Sequence, residues 1–173
     1  YIEQLPQPFY AKMITVTNHY PYTLDKENQT ISKTDTGDDT VDGYVQTARY
    51  LDEAIGEFFD WLKETGLYDK SMIVLYGDHY GISNNHKKAM AKLTNITGFN
   101  DYDNAMYQRV PFMIHMPGLK GGINHTYGGE IDALPTILNL LGIKDNDTVQ
   151  FGSDLLSANH PQTVAFRNGD FVT

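Results

Sequence analysis

The sequence contains no cysteine. That excludes thiolate zinc sites, a cysteine nucleophile and disulfide bonds, and it leaves the compartment open. Basic residues are few: 13 Lys and Arg stand against 22 Asp and Glu, for a formal charge of −9. Nucleic acid is therefore not expected as a partner, because phosphate-backbone binding needs a basic face. An anionic substrate would have to be held by a metal and a few local cations against the overall field. Long apolar runs are also missing, and none approaches the ~20 residues that a membrane-spanning helix requires. What remains is ordinary for a globular protein, with 40% hydrophobic and 20% charged residues. A length of 173 residues fits one domain or a large part of one. The sequence opens on Tyr1 rather than Met and stops at Thr173 inside an apparent strand, so it is expected to be a piece of a longer protein.

One stretch organises the chain, Ser71-Met-Ile-Val-Leu-Tyr-Gly-Asp-His-Tyr-Gly-Ile-Ser83. Met72 to Tyr76 has the length and β-branched content of a buried strand. Gly77 then breaks the run into Asp78-His79, and Gly81 breaks it again. In open α/β sheets, ligands bind in the crevice beyond the carboxyl ends of the strands. Adjacent residues inside a strand point to opposite faces, but past its end, between glycines, the backbone can turn both toward one point. Asp with His suits a borderline divalent metal such as manganese or zinc. A loop with a capping Asp is the competing reading of the same dipeptide.

Phe9 to Thr17 is rich in β-branched and aromatic residues and reads as a strand, ended by Asn18-His19-Tyr20-Pro21-Tyr22. His19 thus stands just past a second strand terminus, where a simple turn is the alternative. Thr23 to Asp39 is a polar surface loop. Val41, Tyr44, Val45, Ala48, Leu51, Ile55, Phe58, Phe59 and Leu62 then fall at helical spacing. Asp38, Asp39 and Thr40 supply the N-terminal capping and Gly66 the stop. The opposite face, with Gln46, Arg49, Asp52, Glu53, Glu57 and Asp60, reads as solvated. Strand, helix and strand in this order predict a βαβ unit with parallel pairing and a right-handed crossover. That topology sets His19 and Asp78-His79 along one rim.

Residues 81–107 are polar and irregular, with a short helix predicted around Asn85 to Leu93. His86 and Lys87 near its start read as surface residues. Arg109 to Pro117 is a third strand, with His115 as a packed, hydrogen-bonded core residue rather than a ligand. Gly118 to Gly122 lacks the spacing of a phosphate-binding loop. A second helix follows, with Asp132 as its N-cap, Pro135 in the first turn, a buried stripe of Leu134, Ile137, Leu138 and Leu141, and Gly142 as the stop. The tail from Thr163 reads as two short strands around a turn at Asn168-Gly169. The fold class expected is α/β, a mostly parallel sheet flanked by helices, with a small antiparallel C-terminal element.

Gly77-Asp78-His79-Tyr80-Gly81 at the end of an apolar strand resembles the metal motif of the sulfatase and alkaline phosphatase superfamily. Ile131-Asp-Ala-Leu-Pro-Thr-Ile-Leu-Asn-Leu-Leu-Gly142 resembles a helix near the C-terminal part of the sulfatases. Together with Thr17-Asn-His-Tyr-Pro-Tyr22 and Phe166-Arg-Asn-Gly-Asp170, these motifs look like the extracellular catalytic domain of lipoteichoic acid synthases, over nearly the whole chain. The resemblance implies that residues 1–173 are the C-terminal part of such a domain. It implies transfer of glycerol phosphate from phosphatidylglycerol to a polyglycerolphosphate chain on a glycolipid anchor, at the extracellular face of a Gram-positive cell membrane. Contact with the membrane would come only through the substrate and a transmembrane region outside this chain.

Carried over by motif, Asp78 and His79 are metal ligands, with manganese the leading ion and magnesium or zinc as alternatives. His19, Tyr80 and Ser83 match positions that contact the glycerol phosphate group. The family's threonine nucleophile, a further metal-binding carboxylate and a substrate-pocket arginine have no match here. They are expected upstream, in the missing N-terminal half of the domain, and the chain alone is expected to be inactive and to bind metal weakly. Two other functions fit the same residues: hydrolysis of sulfate or phosphate esters within the superfamily, and a non-catalytic module that binds glycerol phosphate polymer.

Overall fold

The computed structural model describes all 173 residues, Tyr1–Thr173, as two compact units, Tyr1–Pro117 and Gly118–Thr173.

The first unit is built on one long helix, α1 (Asp39–Glu64). Its start is fixed where capping chemistry predicts, since the Asp38 carboxylate accepts from the backbone N–H groups of Thr40 and Val41. Its end is fixed at Gly66, whose φ of +69° is left-handed and cheap only for glycine. The buried face differs from the expected apolar stripe. Val41 and Leu62 are buried, but so are Asp42, Gln46 and Thr47, while Ile55, Phe58 and Phe59 keep part of their surface. Gln46, read as solvated, is 4% exposed because its amide donates to the Ile31 carbonyl over 2.9 Å. Asp42 is tolerated for a similar reason: its Oδ1 accepts from the hydroxyls of Thr34 and Thr36. The loop before the helix is thereby folded back on it, which periodicity alone does not reveal.

Two strands follow, β1 (Ile73–Tyr76) and, after helices α2 (Lys87–Thr94) and α3 (Asp101–Met106), β2 (Phe112–His115). They pair antiparallel, Ile73 opposite His115 and Tyr76 opposite Phe112. The predicted parallel pairing is not formed within these residues. Its other half, Phe9 to Thr17, has strand-like composition but forms no ladder. Tyr10, Ile14 and Val16 are 88%, 70% and 74% exposed. Strand propensity expresses how well a side chain fits a pleated, half-covered surface, and nothing in this chain supplies that surface to residues 9–17. The helix expected near 85–93 is α2, preceded by a short 3-10 turn at Asn84–His86. Helix α3 lies in a stretch whose sequence reads as irregular, and Asn100 and Asp103 form a reciprocal capping box at its start. His115 is packed and hydrogen-bonded as expected, though half-buried rather than in a core: Nε2 lies 3.1 Å from the Tyr68 carbonyl and its ring stacks on Tyr68 at 3.9 Å.

In the second unit, α4 (Ala133–Leu140) follows a 3-10 turn at Glu130–Asp132. Asp132 occupies the N-cap position of α4, but its side chain makes no cap to that helix. It turns back instead to accept from Gly129 N and reaches across to Ser153 N, each at 2.8 Å. The tail forms the expected hairpin, β3 (Val164–Ala165) antiparallel to β4 (Phe171–Val172), around Gly169. No helix of the chain is long and apolar enough to cross a membrane.

Candidate functional site

Strand β1 ends at Tyr76, and the chain continues through Gly77 into the loop that carries Asp78, His79, Tyr80 and Ser83. Gly77 N donates to the Pro111 carbonyl over 3.1 Å, which extends the β1–β2 ladder by one bond before the loop departs. Asp78 Oδ1 then lies 3.9 Å from His79 Nε2, with both side chains more than half exposed. The two adjacent residues are thus turned to the same side past the strand end, as the glycine-flanked sequence predicts. His19 meets them: its ring lies edge-on to His79 with centroids 5.8 Å apart. Tyr80 stands on another flank of His79, at 6.3 Å and also edge-on.

Both imidazoles are oriented alike. His79 Nδ1 lies 2.7 Å from the Tyr80 carbonyl, and His19 Nδ1 lies 2.9 Å from the Tyr20 carbonyl. A carbonyl oxygen can only accept, so each Nδ1 is the donor and, in the neutral ring, each Nε2 carries the free lone pair. This is the tautomer a metal-binding imidazole needs, fixed by a partner on its other nitrogen. Two donors on one tetrahedral ion lie ~3.4 Å apart. Asp78 Oδ1 and His79 Nε2, at 3.9 Å, are wider than that, so these two exposed side chains would have to draw together to hold one ion. The donor chemistry fits a divalent cation, but as a partial set: no group of three or more His, Asp or Glu side chains is assembled to hold an ion. Ser83 is half-buried at the far end of the loop, and its hydroxyl caps neither the turn that follows nor its helix.

Helix α1 supports both loops. Asn18, next to His19, accepts from the buried Thr47 hydroxyl over 2.9 Å. Ile82, beside Ser83, is packed with Val41, Tyr22 and Ala89 in the small core of this unit. His86, a surface residue by sequence, is half-buried and its Nδ1 donates to Asp38 Oδ2 over 2.7 Å. It thereby ties the end of the Asp78 loop to the N-cap of α1. Lys87 is exposed as expected. His19 also lines an open depression of about 510 Å³, together with Thr17, Tyr20, Thr23, Asn28 and Tyr50 among others.

The hydrogen bond from His86, opposed by burial and reinforced by the Val41 and Thr40 backbone, holds the Asp38 carboxyl below the usual aspartate range. A carboxyl whose folded pKa is depressed stabilises the fold above its unfolded value of about 3.9 and loses that contribution as pH falls through the folded value. Thermal midpoints should therefore decline below about pH 4, and Asp38→Asn should show a lower midpoint at neutral pH with a shallower acid decline. An acid limb as steep in Asp38→Asn as in the parent would show that this pair does not contribute.

Residues 1–143 match the sulfatase family. The chain belongs to that family. Among its relatives, lipoteichoic acid synthase 1 of Bacillus subtilis (strain 168) is 59% identical over 172 residues, which is 99% of this chain and 27% of the relative. Lipoteichoic acid synthase 2 of the same strain is 53% identical over 172 residues, again 99% of this chain and 26% of the relative. The lipoteichoic acid synthase of Staphylococcus aureus (strain USA300) is 54% identical over 175 residues, covering this chain entirely and 27% of its own length. This sulfatase-family chain thus spans about a quarter of the length of these curated relatives. Sequence reading placed His19, Asp78, His79 and Tyr80 at one locus. It missed Tyr22, Thr47 and Asn18, whose signal lies only in their position beside site residues and on the buried side of α1.

Proposed function

We propose that the protein is a cation-dependent phosphoglycerol transferase. In this reading it moves glycerol phosphate from phosphatidylglycerol to a growing polyglycerolphosphate chain on a glycolipid anchor, at the extracellular face of the cell membrane, and residues 1–173 are the C-terminal part of its catalytic domain. The observation that carries the reading is the meeting of His19 with Asp78 and His79 past the end of β1, in a chain of this family with such relatives. In the whole domain, a mostly parallel sheet would take in the extended, uncovered segment 9–17, which accounts for its exposed apolar side chains.

Transfer from a phosphodiester requires a nucleophile, neutralisation of the non-bridging oxygens, and a proton for the leaving diacylglycerol. A divalent cation held by Asp78 and His79, manganese first among candidates, would supply the neutralisation. The attacking hydroxyl is assigned to the part of the protein outside these residues, so the 173-residue chain by itself should not turn over. His19, with Nδ1 held by a carbonyl, presents Nε2 to hold or pass a proton at the phosphate or at the leaving oxygen. The Tyr80 and Ser83 hydroxyls orient the glycerol phosphate group.

The test is to supply full-length protein with vesicles containing labelled phosphatidylglycerol, with and without manganese. Release of diacylglycerol together with polymer growth, both lost on chelation, is the expected result. Hydrolysis of sulfate or phosphate monoesters with no polymer would instead establish the ester hydrolase that the family name alone suggests, and polymer binding without either reaction would establish a binding module.

A further inference from the structure

We propose that Tyr22 is a positioning residue that locks the turn bearing His19 and the loop bearing Asp78 and His79 into one arrangement, through its hydroxyl on the Gly81 carbonyl and its ring against Tyr44. Tyr22 lies three residues after His19, and Gly81 lies three residues after Asp78. The Tyr22 hydroxyl donates to the Gly81 carbonyl, a bond between segments 59 residues apart in sequence. The Tyr22 side chain is not a solvated turn residue: only 6% of the residue is exposed. Its backbone is held at φ +59°, a left-handed conformation that is uncommon for an aromatic residue and persists where its surroundings fix it. Burial, with the neighbouring Tyr44, pushes its phenol above the ordinary tyrosine value, which keeps the hydroxyl a donor.

The clamp has no slack. The Tyr22 ring packs edge-on against Tyr44 of α1, with centroids 5.3 Å apart. A methyl group at Gly81 would come within 2.6 Å of the Tyr44 ring, and one at Gly43 within 2.6 Å of the Tyr22 carbonyl oxygen. Glycine at both places lets helix, turn and loop approach this closely. Tyr22 N also donates to the His19 carbonyl over 2.8 Å, which closes the His19 turn on itself. The 5.8 Å separation of the His19 and His79 rings is therefore held by a buried side chain that touches neither ring's free nitrogen.

This inference rests on the metal reading of Asp78 and His79. It is tested by manganese binding to the full-length protein, followed by loss of the free-ion paramagnetic resonance signal, in Tyr22→Phe, His79→Ala and the parent. Tyr22→Phe keeps the ring and its packing and removes only the hydroxyl. It should weaken manganese binding about 10-fold, in the range seen when groups that orient metal ligands are removed. Its thermal midpoint should fall only slightly, by the loss of one donor to the half-buried Gly81 carbonyl, and saturating manganese should restore its turnover, so that the metal requirement rises while the maximal rate does not fall. A lowered midpoint with unchanged manganese affinity would overturn the proposal and leave Tyr22 a packing residue. If His79→Ala loses manganese while Tyr22→Phe binds like the parent, the positioning role alone falls. If His79→Ala also binds like the parent, the reading of the site falls and takes this proposal with it.

Discussion

Asp78→Ala in the full-length protein is expected to lower glycerol phosphate transfer more than about 100-fold, beyond the loss typical of removing a group that merely orients a metal ligand. The thermal midpoint should move by no more than about 2 °C, as for an exposed side chain with no structural partner. The two halves of this expectation come from one fact. The Asp78 side chain is 73% exposed and has a single close partner, His79 Nε2 at 3.9 Å. A carboxylate so placed contributes little to folding, because exposed ion pairs are worth little. It is nonetheless poised past a strand end beside an imidazole whose lone pair is directed by a carbonyl on its other nitrogen. Retained turnover in this variant, assayed with lipid substrate and manganese, would remove Asp78 from the ligand set. A collapse of the melting transition would show instead that its role is structural.

The residues that converge in this site were legible in the sequence for a definite reason. An apolar run ending in glycine, then a carboxylate and an imidazole, then glycine again, specifies a strand end and a turn whatever the rest of the sheet does. The partner of the strand was not legible. β1 and β2 are separated by α2 and α3, and the antiparallel register is set by packing, such as His115 on Tyr68, that no local pattern encodes. The stripe on α1 misled for a related reason. Hydrophobic periodicity locates an apolar face, but Asp42, Gln46 and Thr47 are buried because Thr34, Thr36, Ile31 and Asn18, in the turn and loop that precede the helix, satisfy them. The same holds for His86, whose partner Asp38 lies 48 residues away. Polar residues that hold loops to a helix look like surface in sequence, since their burial depends on partners rather than on their own hydropathy.

Asp132→Ala is expected to destabilise the unit Gly118–Thr173 by about 3 kcal/mol, since two half-buried backbone donors lose their acceptor and each such loss costs about 1–3 kcal/mol. Asp132 is 4% exposed. One carboxylate oxygen accepts from Ser153 N and the other from Gly129 N, so the side chain joins the turn before α4 to the segment after it. A further neighbour, outside that count, is His160, whose side chain is 1% exposed and whose Nε2 lies 3.3 Å from Asp132 Oδ2. Gln162 N donates to His160 Nδ1, which places the ring proton on Nε2. That contact is short but too bent for a hydrogen bond, and Nε2 has no other partner, so it is an electrostatic contact whose energy the distance alone overstates. His160→Ala removes a different set of contacts: Asp132 keeps both backbone donors, while Gln162 N loses its acceptor and the buried ring leaves a cavity. A double-mutant cycle on unfolding free energies separates the pair from the backbone bonds, and the coupling should fall at the low end of the 0.5–3 kcal/mol range for residues in contact, about 0.5–1 kcal/mol. A coupling energy that accounts for the whole effect of Asp132→Ala would show that His160, not the two backbone donors, is what the carboxylate holds.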